Sequence, residues 1–495
     1  MPRTYAQLGI PRLRAFRDDC LRVRSIPYLA WLVYAAFASV IVYKMYGDDP
    51  FGSIRPSLTL FYAIAGAHVW YRLRRRAAAN ILAPDIIFVL FYTLFHLGYV
   101  TLFAFGVVEH RKDIFYFDAG IPRALFIVNL GIIGFLFGYE VLGSRRRRRQ
   151  SQTTQATMTP TVAWGASGTI LMGLAVAIHV GVLISLGSSY MQAYGYKGLQ
   201  RLSQYASYSM GLAMTISRAL LVLGLLLHTV SSSLRANKLF TSRVALAAVI
   251  AAFAINILSG ERGALVSIGL PILAVRHYFI KKIALRYLGM MFLAAMVLFS
   301  ALAVARGTVF APSKMYDDYQ ESVQRGDVGW QSGLVEMGTS FVTVDITAAE
   351  VPAREPYWHG RSWLGAAIHV VPFLQRSAMA AGWIREAPSK WVTRRYFGQK
   401  AAGRAFTVSA EGYLNFGYPG VLIELIALGM FFRWIAIRFG QSPTAPRAFI
   451  FLGSIGPMII VIRNHINVIT SDLAILFAAA GLLHLFLQRS PYSKS

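Results

Sequence analysis

Val244-Ala-Leu-Ala-Ala-Val-Ile-Ala-Ala-Phe-Ala-Ile-Asn-Ile-Leu258, then Ser259-Gly260-Glu261-Arg262-Gly263, then Ala264-Leu-Val-Ser267: two apolar runs meet across a turn that holds a Glu-Arg pair. No polar linker separates them, so the pair is pinned where two apolar helices join. Charge at the edge of a hydrocarbon layer is costly to place and marks function by default. The arginine's sign suits an anionic headgroup or a phosphate.

The same pattern runs along the chain. Of 495 residues, 56% are hydrophobic and 14% are charged, and mean hydropathy is +0.50. A soluble chain of this size exposes more charge. A helix needs about 20 apolar residues to cross the bilayer. By that criterion the chain offers about twelve spans, at residues 28–46, 56–71, 84–106, 121–143, 164–186, 209–230, 244–258, 264–279, 285–305, 411–432, 448–462 and 466–487. The expected fold is an all-α polytopic membrane protein. It divides into an N-terminal bundle at 1–305, a loop or cap at 306–408 and C-terminal helices at 409–495.

The formal charge of +27 is placed unevenly. Arg72 to Arg76, Arg145 to Arg149, Arg235 with Lys238, and Lys281 with Lys282 all follow even-numbered spans. Basic residues also precede the first span and end the chain. The positive-inside rule then puts both termini in the cytoplasm. Topology and anionic lipid account for the charge, and no nucleic-acid-binding module accompanies it. The first span lacks a cleavage site and reads as a signal anchor. The single cysteine, Cys20, is on the cytoplasmic side of this topology, which leaves no disulfide or cysteine-based metal site outside.

Residues 306–408 are too long for a simple connector and carry five tryptophans, Trp330, Trp358, Trp363, Trp383 and Trp391. Segments 333–349 and 362–373 are expected to form short amphipathic or re-entrant helices on the membrane face. Most of the tryptophans read as interfacial anchors; an aromatic face also suits the C–H face of a sugar.

The Ser-Gly-x-Arg-Gly turn, the late outer loop, Gly360-Arg-Ser-Trp-Leu-x₆-Val-Pro372 and Ser409-Ala-Glu-Gly-Tyr-Leu-Asn-Phe-Gly-Tyr-Pro-Gly-Val421 follow in order. That order resembles Wzy-type O-antigen or oligosaccharide-repeat-unit polymerases, related to the O-antigen ligases. The resemblance implies a GT-C-like fold with a large periplasmic loop between helices nine and ten, in the bacterial inner membrane. It implies a glycosyltransferase that joins undecaprenyl-pyrophosphate-linked repeat units at the periplasmic face, without cofactor or metal. Its implied partners are that lipid-linked oligosaccharide, membrane lipids and a chain-length regulator.

A pyrophosphate leaving group needs cations, and the planar fork of arginine pairs with two phosphate oxygens. Arg218, Arg262, Arg306 and Arg463 fall in or at the outer half of the expected topology. The alternative for each is a pairing with a buried acid, Arg218 with Glu424 or Asp472. The acceptor hydroxyl needs a base; Glu411, with Tyr413 and Asn415 beside it, competes with Glu261 and His465, and with His359 and His369. Glu411 has a second reading, a tie between loop and helix. Two further enzymes stay open: an O-antigen ligase, and a lipid-phosphate-sugar transferase using Asp48-Asp49, a pair that also reads as a turn. A lipid-linked oligosaccharide flippase is the non-enzyme alternative.

Overall fold

The computed structural model describes residues 26–74, 82–142, 162–193, 208–258, 262–305, 316–317, 320, 331–371, 374–398, 405–441 and 445–489. Helix and turn account for the regular structure among them. The first nine long helices are α1 Ile26–Tyr46, α2 Ile54–Arg74, α3 Pro84–Ala104, α4 Ile121–Leu142, α5 Val162–Ala193, α6 Tyr208–Ala236, α7 Arg243–Leu258, α8 Arg262–Val275 and α9 Leu285–Ala305. Five short helices follow: α10 Ser332–Gly338, α11 Phe341–Glu350, α12 Arg361–His369, α13 Leu374–Ala380 and α14 Pro388–Val392. The chain closes with α15 Val408–Gln441, α16 Ala445–Gly453, α17 Ile455–Arg463 and α18 Asn467–Arg489.

Among the described residues, seven stretches are long and apolar enough to cross a membrane: Ile26–Tyr46, Pro84–Ala104, Asp118–Leu142, Trp164–Val182, Ile216–Ala236, Val408–Gly440 and Pro446–Arg463. Four shorter apolar helices, Arg243–Ile257, Leu265–Ile280, Leu285–Leu298 and Asn467–Leu483, occupy other expected spans. The second expected span is helical, but Arg55, His68, Arg72 and Arg74 make it more polar than the rest. The eleventh is two short helices, α16 and α17, meeting at Ser454.

Two helix groups form the bundle. In the first, α4 packs against α1, α2 and α15. Glycines let the backbones approach, as small residues do between apolar helices. A Cβ on Gly138 would stand 2.1 Å from Ile426 O, and one on Gly429 would stand 2.2 Å from Phe135 O. In the second, α5 pairs with α6 at Gly168 and Gly224, where either Cβ would meet the other glycine's carbonyl oxygen at 2.6 Å. Helices α7 and α8 complete this group, and α16 to α18 join it to the first.

A polar cluster sits inside the first group. Asp85 Oδ2 accepts Arg72 Nε at 2.7 Å and contacts His68 Nε2 at 3.0 Å. His68 Nδ1 meets the Tyr28 hydroxyl at 2.6 Å. Burying a charge is tolerable when it is paired in this way.

Segment 331–398 does not lie on a membrane face throughout. Helix α10 presses on α3, where a Cβ on Gly338 would stand 2.1 Å from Tyr99 N. Helix α11 is enclosed: nine of its ten residues are buried, because both of its faces meet protein, with α4 and α15 among its neighbours. Helix α12 does show one buried face, Ser362, Gly365 and Ala366, with Leu364 exposed. The tryptophans differ as well. Trp358 and Trp391 are buried against each other, 5.9 Å between ring centroids, and Trp383 is exposed. Trp330 lies outside the described residues.

Candidate functional site

A cavity of about 580 Å³ opens between the two helix groups. Its polar wall carries Arg218 from α6, Arg463 from the end of α17, Asp472 from α18, Glu336 from α10 and His369 from α12. Val176, Leu221, Ile268 and Ile475 form its apolar wall. Two of the four arginines singled out in the sequence thus line one space. Asp472 shares this cavity with Arg218 and feels its charge, whereas Glu424 does not line it.

The third arginine, Arg262, opens α8 immediately before Gly263, which lines the same cavity. Arg306 and Glu261 lie outside the described residues.

Glu411 does not line the cavity; it is fully buried behind the turn between α17 and α18. Its Oε2 accepts the Ile466 amide at 2.7 Å. Arg463, Asn464 and His465 occupy that turn, so Glu411 reaches the cavity through backbone. His465 is buried, and burial lowers its imidazole to about 4, with nearby His369 adding to the effect.

The two motif stretches near residues 360 and 415 touch each other. Asn415 Oδ1 accepts the Gly360 amide at 3.1 Å, and its Nδ2 donates to Ser362 Oγ at 2.7 Å. Two backbone bonds, Trp358 N to Leu414 O and His359 N to Asn415 O, continue the strap. Asn415 therefore serves as a latch. Tyr413 turns elsewhere, toward Tyr357 and Tyr418.

Sequence reading did not single out Glu336, and it offered Glu424 only as a partner for Arg218, not as the neighbour of Glu411. Helix α15 breaks at Phe416 (φ −145°, ψ 22°) and Gly417 (φ 66°, ψ −148°). The two arms fold together until a Cβ on Gly420 would lie 2.0 Å from Gly412 O. Residues thirteen apart then become neighbours: the carboxyl of Glu424 lies beside that of Glu411. Glu424 Oε2 accepts the Trp363 indole N–H at 3.0 Å. The available signal was Gly417 two residues before Pro419, a stop followed by a helix start.

Other candidate groups have structural roles. Asp49 Oδ1 accepts the Gly52 amide at 2.8 Å, which makes Asp48-Asp49-Pro50 a turn. A cleft of about 860 Å³ beside α13 and α14 contains Arg385, Arg394 and Arg395. There Arg385 and Arg395 both contact Glu355 while Arg394 contacts Glu386. Among the described residues no group of three or more His, Cys, Asp or Glu is placed to hold a metal ion.

The family model for O-antigen polysaccharide polymerase Wzy matches residues 30–494. No curated protein and no solved structure matches the chain.

Proposed function

Since the chain belongs to the O-antigen polysaccharide polymerase Wzy family, we propose that the cavity between α6, α8, α17 and α18 is where repeat units are joined. The observation that carries this reading is the convergence of Arg218, Arg463 and the start of α8 on one partly apolar space. The arginines bind the pyrophosphate of an undecaprenyl-linked donor, with Arg262 as the third cation. The apolar wall takes the first isoprene units. The reaction lies at the periplasmic face of the bacterial inner membrane, with both termini in the cytoplasm.

In the step itself, the acceptor sugar hydroxyl forms a bond to the anomeric carbon of the donor glycan. The bond from that carbon to phosphate oxygen breaks, and the electron pair leaves on the pyrophosphate. Arginines already aimed at those oxygens stabilise the charge as it develops. The hydroxyl proton goes to His369, a cavity-lining group whose Nδ1 is 3.2 Å from Gln375 Oε1. With Nδ1–H donating to Gln375, Nε2 is left to accept.

A lipopolysaccharide gel of a deletion strain tests the reading. A polymerase null shows lipid A core capped by single repeats, and the gene restores the ladder. Long glycan that never reaches core would instead identify a ligase, and loss of even the single repeat would identify a flippase.

A further inference from the structure

Glu411 and Glu424 are both buried, and each has one carboxyl oxygen committed to a different outer element. Glu411 Oε2 holds the Ile466 amide of the α17–α18 turn. Glu424 Oε2 holds the Trp363 indole of α12. The other oxygen of each, Oε1, is buried with no ordinary hydrogen-bond partner, and the two carboxyls lie side by side with Ser362 against Glu411. A proton between the two Oε1 atoms makes one unit of them, since side-by-side carboxylates resist carrying two charges.

We propose that Glu411 and Glu424 form a hydrogen-bonded carboxyl pair that positions the Arg463-Asn464-His465 turn at the cavity and ties it to α12. The inference rests on the cavity reading above for its kinetic consequence alone. Neither residue takes the acceptor's proton: Glu411 is sealed from the cavity by the turn it holds. The pair spans three parts of the chain. Trp363 belongs to the strap latched by Asn415, Glu411 and Glu424 come from the two arms of α15, and Ile466 follows Arg463. Moving α12 therefore moves the arginine, and His369 travels at the end of the same helix.

Glutamine distinguishes positioning from proton transfer. At position 411 an amide keeps an oxygen for the Ile466 N–H and offers an N–H to Glu424, in place of the shared proton. At position 424 it does the same for Trp363 and Glu411. A general base replaced in this way loses about 10²-fold or more.

The experiment uses full-length protein with Cys20→Ser and a reporter Asn464→Cys, since Asn464 lines the cavity from the turn. Maleimide labelling rates are measured in detergent. Polymerisation of lipid-linked repeat units is assayed separately without the reporter. Glu411→Gln and Glu424→Gln should label at the rate of the parent and polymerise within about threefold of it. Glu411→Ala and Glu424→Ala should alter labelling about tenfold, as a released turn would, and raise KM for the lipid donor more than they lower kcat. Two results overturn the proposal: Glu411→Gln that labels normally but is inactive, or alanine variants whose labelling is unchanged. Should the alanine variants fail to fold, the glutamine pair still decides. Should the parent protein fail to polymerise, the cavity reading falls, and the labelling arm continues to test the pair.

Discussion

Asn415 and Ser362, fifty-three positions apart, are joined by a 2.7 Å hydrogen bond from amide to hydroxyl. With the Gly360 amide on the other end of the same side chain, one asparagine fixes the outer strap to α15. Asn415→Leu keeps the branched outline of the side chain and removes both bonds, leaving the part-buried Gly360 amide unpaired and Ser362 with only its contact to Glu411. The expected cost is about 1–3 kcal/mol for each unsatisfied group. Thermal unfolding in detergent, followed by tryptophan fluorescence, should show a clearly lower midpoint, while Asn415→Asp should lose less.

Arg463→Ala and Arg218→Ala should each reduce polymer by about 10²-fold or more, the range for a lost donor to a developing anion. Arg463→Lys should recover little, because a point charge lacks the bidentate fork. Lipopolysaccharide ladders, read beside membrane abundance of each variant, measure this. A full ladder from Arg463→Ala would remove that residue from the site. Arg218 faces Asp472, so an Arg218→Ala loss that Asp472→Asn repairs would assign the pair to structure alone.

Asp345 is buried in α11 and accepts the Phe117 amide at 2.8 Å. Burial pushes its carboxyl up to about 8, against the effect of the backbone N–H groups. The folded state therefore keeps a proton that the unfolded state loses above its ordinary value near 3.8. Stability falls as pH rises between those values, since the unfolded chain binds fewer protons there. Asp345→Asn should flatten that slope. Unfolding midpoints at pH 5 and about pH 8 should differ less in the variant than in the parent. An unchanged difference would place the titration elsewhere.

Gly417 has a φ of 66°, and a Cβ there would stand 2.9 Å from the Tyr357 hydroxyl. Gly417→Ala carries a penalty of about 1–3 kcal/mol for forcing a side chain into a backbone region open essentially to glycine alone, in addition to that contact. It should lower the unfolding midpoint and shorten the O-antigen ladder. Adding Tyr357→Phe, which removes the crowded hydroxyl, should restore part of the loss; no restoration would mean that the backbone angle alone is responsible.

The orientation is open to impermeant thiol reagents. A cysteine at Arg394, exposed in the segment proposed to lie outside, should label from the periplasmic side of spheroplasts, and native Cys20 should stay protected. Labelling of Cys20 from outside would invert the topology.

Much of the helical pattern was legible because it is local. Apolar length set the long helices. The cavity was half legible: charge in apolar surroundings pointed to Arg218 and Arg463, whereas their meeting depends on how two helix groups dock. Three features were not local. Glu424 meets Glu411 only through the Phe416–Gly417 break, and apolar periodicity continues smoothly across it. The burial of α11 depends on what packs on its second face. Asp85 with His68 and Arg72 reads, residue by residue, as scattered juxtamembrane charge.

The crossing of Gly412 and Gly420 has one more consequence. A methyl group does not fit between these two arms, so the gap from Glu411 to Glu424 is set by main chain against main chain. That gap behaves as a fixed gauge. Exchanging a neighbouring side chain leaves the distance between the two acids the same, because it is fixed by backbone.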